Sequence, residues 1–216
     1  MSSACLDHLV IAAASLEQGA TYIREKLDVE MQVGGQHAQQ GTHNLLLKLD
    51  RERYLEVIAI DPTGTQPCHP RWFALDSPKV QAKLRERPRL MTWVAKTDDI
   101  HTSVRHCNID IGQVQPMNRG ELNWRITLPQ DGAMPFDGLV PALIQWDTDQ
   151  HPSSRLPNSG CDLIALKGYH NQPGLIQESL ATISLEKAMV IHPVSSVKAI
   201  RLIAQISTPS GIVVLD

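Results

Sequence analysis

The sequence predicts an α+β protein assembled from repeated β-α-β-β-β units. Two observations point there: apolar runs of strand length alternate with capped helix starts, and the same element order recurs along the chain. Cys5–Ala14 reads as a first strand, with His8 inside it. Ser15 then reads as an N-cap, because Leu16, Ala20, Ile23 and Leu27 follow at helical spacing. Glu30–Val33 is expected as a second strand, broken by Gly34-Gly35. His43–Leu49 and Arg53–Ile60 complete the unit across a charged turn at 50–52.

The order then repeats. Leu90–Lys96 is a strand, Asp98 or Asp99 caps a helix through about Asn108, and Gln113–Pro116, Glu121–Leu128 and Ala142–Trp146 follow as strands. Matching the strand-to-helix junctions sets Val10 opposite Val94 and Leu16 opposite Ile100. A third, partial copy reads from Asp162–Tyr169 through a helix at Pro173–Ile183 to strands at Ala188–His192, Ala199–Ile206 and Gly211–Leu215. The expected organisation is a first unit over 1–61, a connection over 62–89 with a helix from about Pro78 to Arg87, a second unit over 90–148, an exposed linker over 149–160 and the partial unit over 161–216.

Composition narrows the function classes. The net charge of −3 supplies no attraction toward nucleic acid or an acidic membrane surface. The basic run Lys79–Arg89 is interrupted by Glu86 and reads as a solvated helix face. No apolar run reaches the roughly 18–20 residues that a spanning helix needs, and Met1–Val10 lacks the charge pattern of a signal peptide. Cys5, Cys68, Cys107 and Cys161 form no CxxC pair, so a zinc ribbon is excluded and free thiols in a cytoplasmic setting are expected. GxSxG, P-loop and GxGxxG patterns do not occur.

Several stretches, in order, carry a family resemblance: LDHLV with a helix behind it, GGQHAQQGTHN, YLEVIAIDP, PRWFALD, RPRLMTWVAKTDDI, GELNWRITLP and LIQWD followed by HPSSRLPNSGCDL. Together they resemble the glyoxalase-like branch of the vicinal-oxygen-chelate superfamily, from about Cys5 to the C-terminal TPSGIVVLD. The resemblance implies paired βαβββ modules forming an incomplete barrel around a pocket, with the C-terminal partial module added. It also implies a small-molecule ligand and a divalent metal (Zn, Mn, Ni or Fe) held from the first and last strands of a module, where His8 and Glu56 stand here. A homodimer is a common assembly in that superfamily.

An imidazole and a carboxylate leave open positions on such a metal for two substrate oxygens. His8 and Glu56 are therefore the expected catalytic pair, with His37 or His43 as a third ligand; His43 completes the expected metal set. Glu56 has Tyr54 and Ile58 as same-face neighbours, which favours a paired, pocket-facing acid, since burying a lone carboxylate costs several kcal/mol. His37, His43, Asn44, Trp93, Trp124, Arg125 and Trp146 are expected around the pocket, Arg125 to pair an anionic substrate group. Arg71-Trp72-Phe73 is expected to close over its mouth. The second module departs from the metal pattern, with Thr92 or Trp93 where a His belongs and Gln145, Trp146 and Asp147 near the end of its last strand. Two readings stand: an enzyme of the lyase, isomerase or dioxygenase type, and a metal-free binding or resistance protein.

Overall fold

Ser15 fixes where the first helix begins. Its Oγ accepts from the Gln18 backbone N–H at 3.2 Å, while Gln18 Oε1 accepts from the Ala14 N–H at 2.9 Å, satisfying two donors that the first turn cannot bond internally. In the computed structural model, which describes residues 4–148 and 150–216, β1 (Ala4–Ala12) leads into this helix, α1 (Leu16–Leu27). Residues 1–3 of the expected first unit and 149 at the head of the expected linker lie outside the described residues. α1 lies against the sheet so closely that a Cβ on Gly19 would sit 2.3 Å from Val57 Cγ1.

The first unit continues with β2 (Gln32–His37), β3 (Thr42–Lys48) and β4 (Tyr54–Ile60). After α2 (Pro78–Glu86), the second unit supplies β5 (Arg89–Thr97), α3 (Ile100–His106), β6 (Gln113–Arg119), β7 (Leu122–Leu128) and β8 (Ala142–Trp146). All eight strands form one sheet in the order β2-β3-β4-β1-β5-β8-β7-β6. In each unit the first strand pairs in parallel with the last, and the two first strands meet antiparallel at the centre. The pairing of His8 with Val94 mirrors that of Val10 with Thr92. A local two-fold thus relates the units, with Val10 opposite Val94 as the sequence predicts and Thr92 standing where His8 stands.

The curled sheet has two differently covered faces. On its convex side Leu9, Ile11 and Trp93 join a core with α1 and the C-terminal unit; on its concave side Val10, Ile58, Val94 and Ile126 pack with Trp72 and Phe73 of the connection. The C-terminal unit, β9 (Asp162–His170), α5 (Pro173–Thr182), β10 (Val190–Pro193), β11 (Arg201–Thr208) and β12 (Gly211–Leu215), repeats the element order but not the strand order. Its sheet runs β10-β9-β11-β12, so its first strand is interior and pairs in parallel with its second. Leu166, Leu180, Leu202 and Ile206 bring it against the convex face. Among the described residues no helix is long and apolar enough to cross a membrane.

Three of the differences from expectation bear on the site. β2 runs through Gly34-Gly35 instead of ending there, with an irregularity between Val33 and Gly35. β6 extends three residues past Pro116 and so carries Arg119 into the sheet. The expected exposed linker holds a short helix, α4 (Pro152–Arg155), whose Pro152 and Ser153 are buried; Ser153 Oγ donates to the Arg51 carbonyl at 2.7 Å. That contact pins His151 back against the first unit.

Candidate functional site

The centre of the concave face begins with an extra residue in β1. Leu6 pairs with Ala95 and His8 with Val94, so Asp7 has no partner on β5. A bulge of this kind re-aims the side chains around it, and here neighbours that strand alternation would separate come together. His8 Nδ1 stands 2.5 Å from Asp7 Oδ1. The other carboxylate oxygen of Asp7 accepts from Trp146 Nε1 at 2.9 Å and meets His151 Nε2 at 2.9 Å. Burial of Asp7 opposes its ionisation, but the hydrogen bonds from His151 and His8 outweigh it and hold the carboxyl well below the usual carboxylate range. The His8 ring stacks on Tyr54 at 4.4 Å between centroids. Burial, and then the charges of Asp7 and Glu56, push the Tyr54 hydroxyl well above its ordinary value, so it stays protonated.

The far nitrogen of His8 faces Glu56, with Nε2 3.7 Å from Oε2. Glu56 Oε1 accepts from Asn44 Nδ2 at 2.5 Å, and Asn44 Oδ1 accepts from Arg119 Nη1 at 3.0 Å. Asn44 therefore bridges a carboxylate of the first module and a guanidinium of the second. The two glycines in β2 make this bridge sterically feasible. A Cβ on Gly34 would fall 2.1 Å from Asn44 Oδ1, and one on Gly35, at φ +144°, would fall 2.9 Å from Arg119 Cδ. Arg119 makes no ion pair among the described residues, although it lies against Asn44 and 3.3 Å from His37 Nε2. Because a guanidinium only donates, His37 Nε2 accepts and its Nδ1 donates to Thr42 Oγ1 at 3.1 Å. Burial first, then the charges of Arg119, His8 and His43, lower the His37 value to about 3. His37 is a neutral ring at neutral pH.

Of these side chains His8, His37, Asn44, Tyr54, Glu56 and Arg119 line a small hollow, about 350 Å³ with the space open to solvent counted. The second module faces them with Trp124, Ile126, Ile144 and Trp146, and the connection closes it with Trp72 and Phe73. Register explains the asymmetry. Glu56 aligns with Val10 and Ala142 with Val94, so Ala142 occupies the position of Glu56 as Thr92 occupies that of His8. Thr92 turns its hydroxyl to the Gly138 carbonyl at 2.9 Å instead. Apart from Arg119, the wall that the second module supplies is uncharged.

A family model described as the Glyoxalase-like domain matches residues 6–184. The chain belongs to the glyoxalase-like domain family. No curated protein sequence matches it. A hypothetical protein from Staphylococcus aureus shares the fold of this glyoxalase-like domain at a TM-score of 0.59 and 12% identity, over 98% of this chain and 84% of that one. Methylmalonyl-CoA epimerase from Mycobacterium tuberculosis matches at 0.40 and 14% identity, over 66% of this chain and 86% of that one; the Streptomyces coelicolor methylmalonyl-CoA epimerase matches at 0.43 and 16%, over 67% and 98%. Those two likenesses are too distant to transfer chemistry.

In this glyoxalase-like domain His8, Glu56, His37, Asn44, Trp124 and Trp146 all line the one hollow. Three expected pocket residues do not. Trp93 pairs with Leu9 on the convex side, fully buried, with its Nε1 donating to the Leu139 carbonyl at 3.0 Å. Arg125 follows Trp124 and so points away from the hollow, where it pairs with Asp147 at 2.6 Å. His43 precedes Asn44 and falls on the opposite face for the same period-two reason. Sequence reasoning missed Asp7, Arg119 and His151, and gave Tyr54 only as a same-face neighbour of Glu56. Only Asp7 carried a signal, an acid inside an otherwise apolar strand.

The donor set does not fit the expected divalent ion. His43 is turned away, the His37 Nε2 lone pair is directed at the Arg119 guanidinium, and a nearby guanidinium repels a dication. Among the described residues no three His, Cys, Asp or Glu side chains stand together as a metal site. His8 and Glu56 remain as two donors, one short of the three protein ligands usual in catalytic sites.

Proposed function

We propose that this glyoxalase-like domain binds a small carboxylic acid bearing a carbonyl group and moves a proton at the carbon beside that carbonyl. The observation that carries the reading is the Asp7–His8 pair, a carboxylate holding one imidazole nitrogen while the other opens onto the hollow beside Glu56. Asp7 fixes the ring with its proton on Nδ1, as an orienting carboxylate does in acid–base catalysis. His8 Nε2 then takes the proton from the substrate carbon. The imidazolium so formed lies between two carboxylates, Asp7 and Glu56, and the negative charge developing on the substrate oxygen meets the Arg119 guanidinium. Nε2 regenerates the neutral ring by giving the proton up again, to the opposite face of that carbon once the planar enolate has turned over (an epimerisation) or to the neighbouring carbon (an isomerisation). The apolar wall of Trp124 and Ile144 seats the hydrocarbon part and excludes water.

A second reading is favoured by the apolar replacements in the second module: a protein that holds such a ligand without turning it over. Proton NMR in D₂O on a panel of 2-oxo and 3-oxo carboxylic acids separates the two. Proton transfer gives protein-dependent loss of the C–H signal beside the carbonyl, slowed roughly a hundred- to ten-thousand-fold in His8→Gln. Saturable binding without exchange supports the holding role and contradicts the catalytic one. An exchange rate unchanged in His8→Gln removes His8 from the chemistry.

A further inference from the structure

The hollow at the site is small, and a wider groove opens beside it. The groove spans about 1000 Å³ with the space open to solvent counted, and Trp72 lines both it and the hollow. One bank is the exposed face of β6, where Gln113 and Gln115 stand at alternate positions; the other is the connection at Pro67–Pro70. The connection that forms the second bank is tightly packed. The connection passes so near two turns that a Cβ on Gly41 would meet the Thr65 carbonyl at 2.5 Å, and one on Gly132 the Arg71 carbonyl at 2.2 Å. Both glycines have positive φ, +55° and +69°, so a side chain at either is disfavoured twice. Gln40 Oε1 accepts from the Trp72 N–H at 3.1 Å, and the Arg71–Asp76 pair at 2.6 Å braces the same turn.

The chemistry of this groove contrasts with that of the hollow. Gln39, Gln40, Gln113, Gln115 and Gln130 line it between proline rings with His69 among them, and no Asp, Glu, Lys or Arg does among the described residues. Primary amides both donate and accept, so such a surface suits a chain of amides or hydroxyls, and among the described residues that line it none carries a permanent charge. We infer that the substrate carries an uncharged arm of amide or hydroxyl character, which leaves the hollow past Trp72 and lies in the glutamine-lined groove. This rests on the reading above only in assigning the acid head to the hollow; the groove's own recognition stands apart from the proton transfer.

Calorimetric titration of the full chain with butyrate, N-succinyl-glycylglycinamide and N-succinyl-glycylglycine tests it. The neutral arm is expected to tighten binding by about tenfold over butyrate, as one or two net hydrogen bonds supply. The charged tip of the third probe is expected to forfeit that gain. In Gln113→Ala/Gln115→Ala, which alters two exposed side chains, the gain is expected to vanish while butyrate affinity holds. Equal affinity for all three probes overturns the inference, as does a gain that survives the double substitution. If butyrate fails to bind, the acid-head assignment falls, and N-acetyl-glycylglycinamide then decides the groove alone. Shifts of the Gln113 and Gln115 side-chain amide signals on its addition support the inference, and their absence overturns it.

Discussion

Asp7 and His8 are consecutive in β1, yet their side chains meet, with Oδ1 and Nδ1 2.5 Å apart. A regular strand would send them to opposite faces. The unpaired residue in the β1–β5 register brings both to the site, and the same irregularity recurs at Met91 in the second unit, between the pairs Val10–Thr92 and Ile11–Leu90. The bulge is thus common to both units, and only the first has armed it.

Replacing Asp7 by Asn tests that arming. The amide retains the shape but cannot accept at both ends from the three donors Asp7 now serves. Urea unfolding is expected to show a loss of about 1–3 kcal/mol at neutral pH. The folded carboxyl lies below its unfolded value, so its stabilisation is complete above about pH 4 and is lost as pH falls through the folded value. The difference between wild type and Asp7→Asn should therefore be constant from pH 6 to 8 and shrink only in strong acid.

His37 gives a different acid signature. Its folded value, about 3, lies below the ordinary 6.5, so between those limits the unfolded chain binds a proton that the folded chain does not. Stability then rises with pH across that window, at about 1.4 kcal/mol per unit for this one group. Unfolding free energies at pH 4, 5 and 6 should fall less steeply with acid in His37→Gln than in wild type. Parallel slopes would mean that the ring is protonated in the fold or that water reaches it.

Metal analysis checks the donor-set argument. After incubation with Zn, Mn, Ni or Fe(II) and desalting, the protein is expected to retain well under one equivalent, and Glu56→Ala is expected to change nothing. One equivalent lost in Glu56→Ala would show that Arg119 swings aside and that His8, Glu56 and a further ligand close on an ion.

Much of the fold was legible because its signals are local. Ser15 and Asp99 cap helices where their spacing predicts, and β8 spans Ala142–Trp146 as expected. In the first-module half of the site Asn44 and Glu56 sit on strands of plain alternation, whereas His8 stands beside the bulge at Asp7. What escaped depended on register or distance. His37 and His43 were equivalent in sequence, and one strand register separates the ring in the hollow from the ring outside it. Gly34-Gly35 read as a break because glycine weakens strands, whereas the space it leaves is filled by Asn44 and Arg119. Arg119 and His151 lie 75 and 144 positions from the partners they serve, Asn44 and Asp7, and no local pattern spans such separations.

The measurement closest to the heart of the account is the ¹⁵N–¹H correlation spectrum of the His8 ring at pH 8. A ring carrying its proton on Nδ1, with Nε2 bare, and switching in Asp7→Asn, is the expected result. A proton resident on Nε2 in the wild-type protein would leave the hollow without its base and contradict the proposed chemistry.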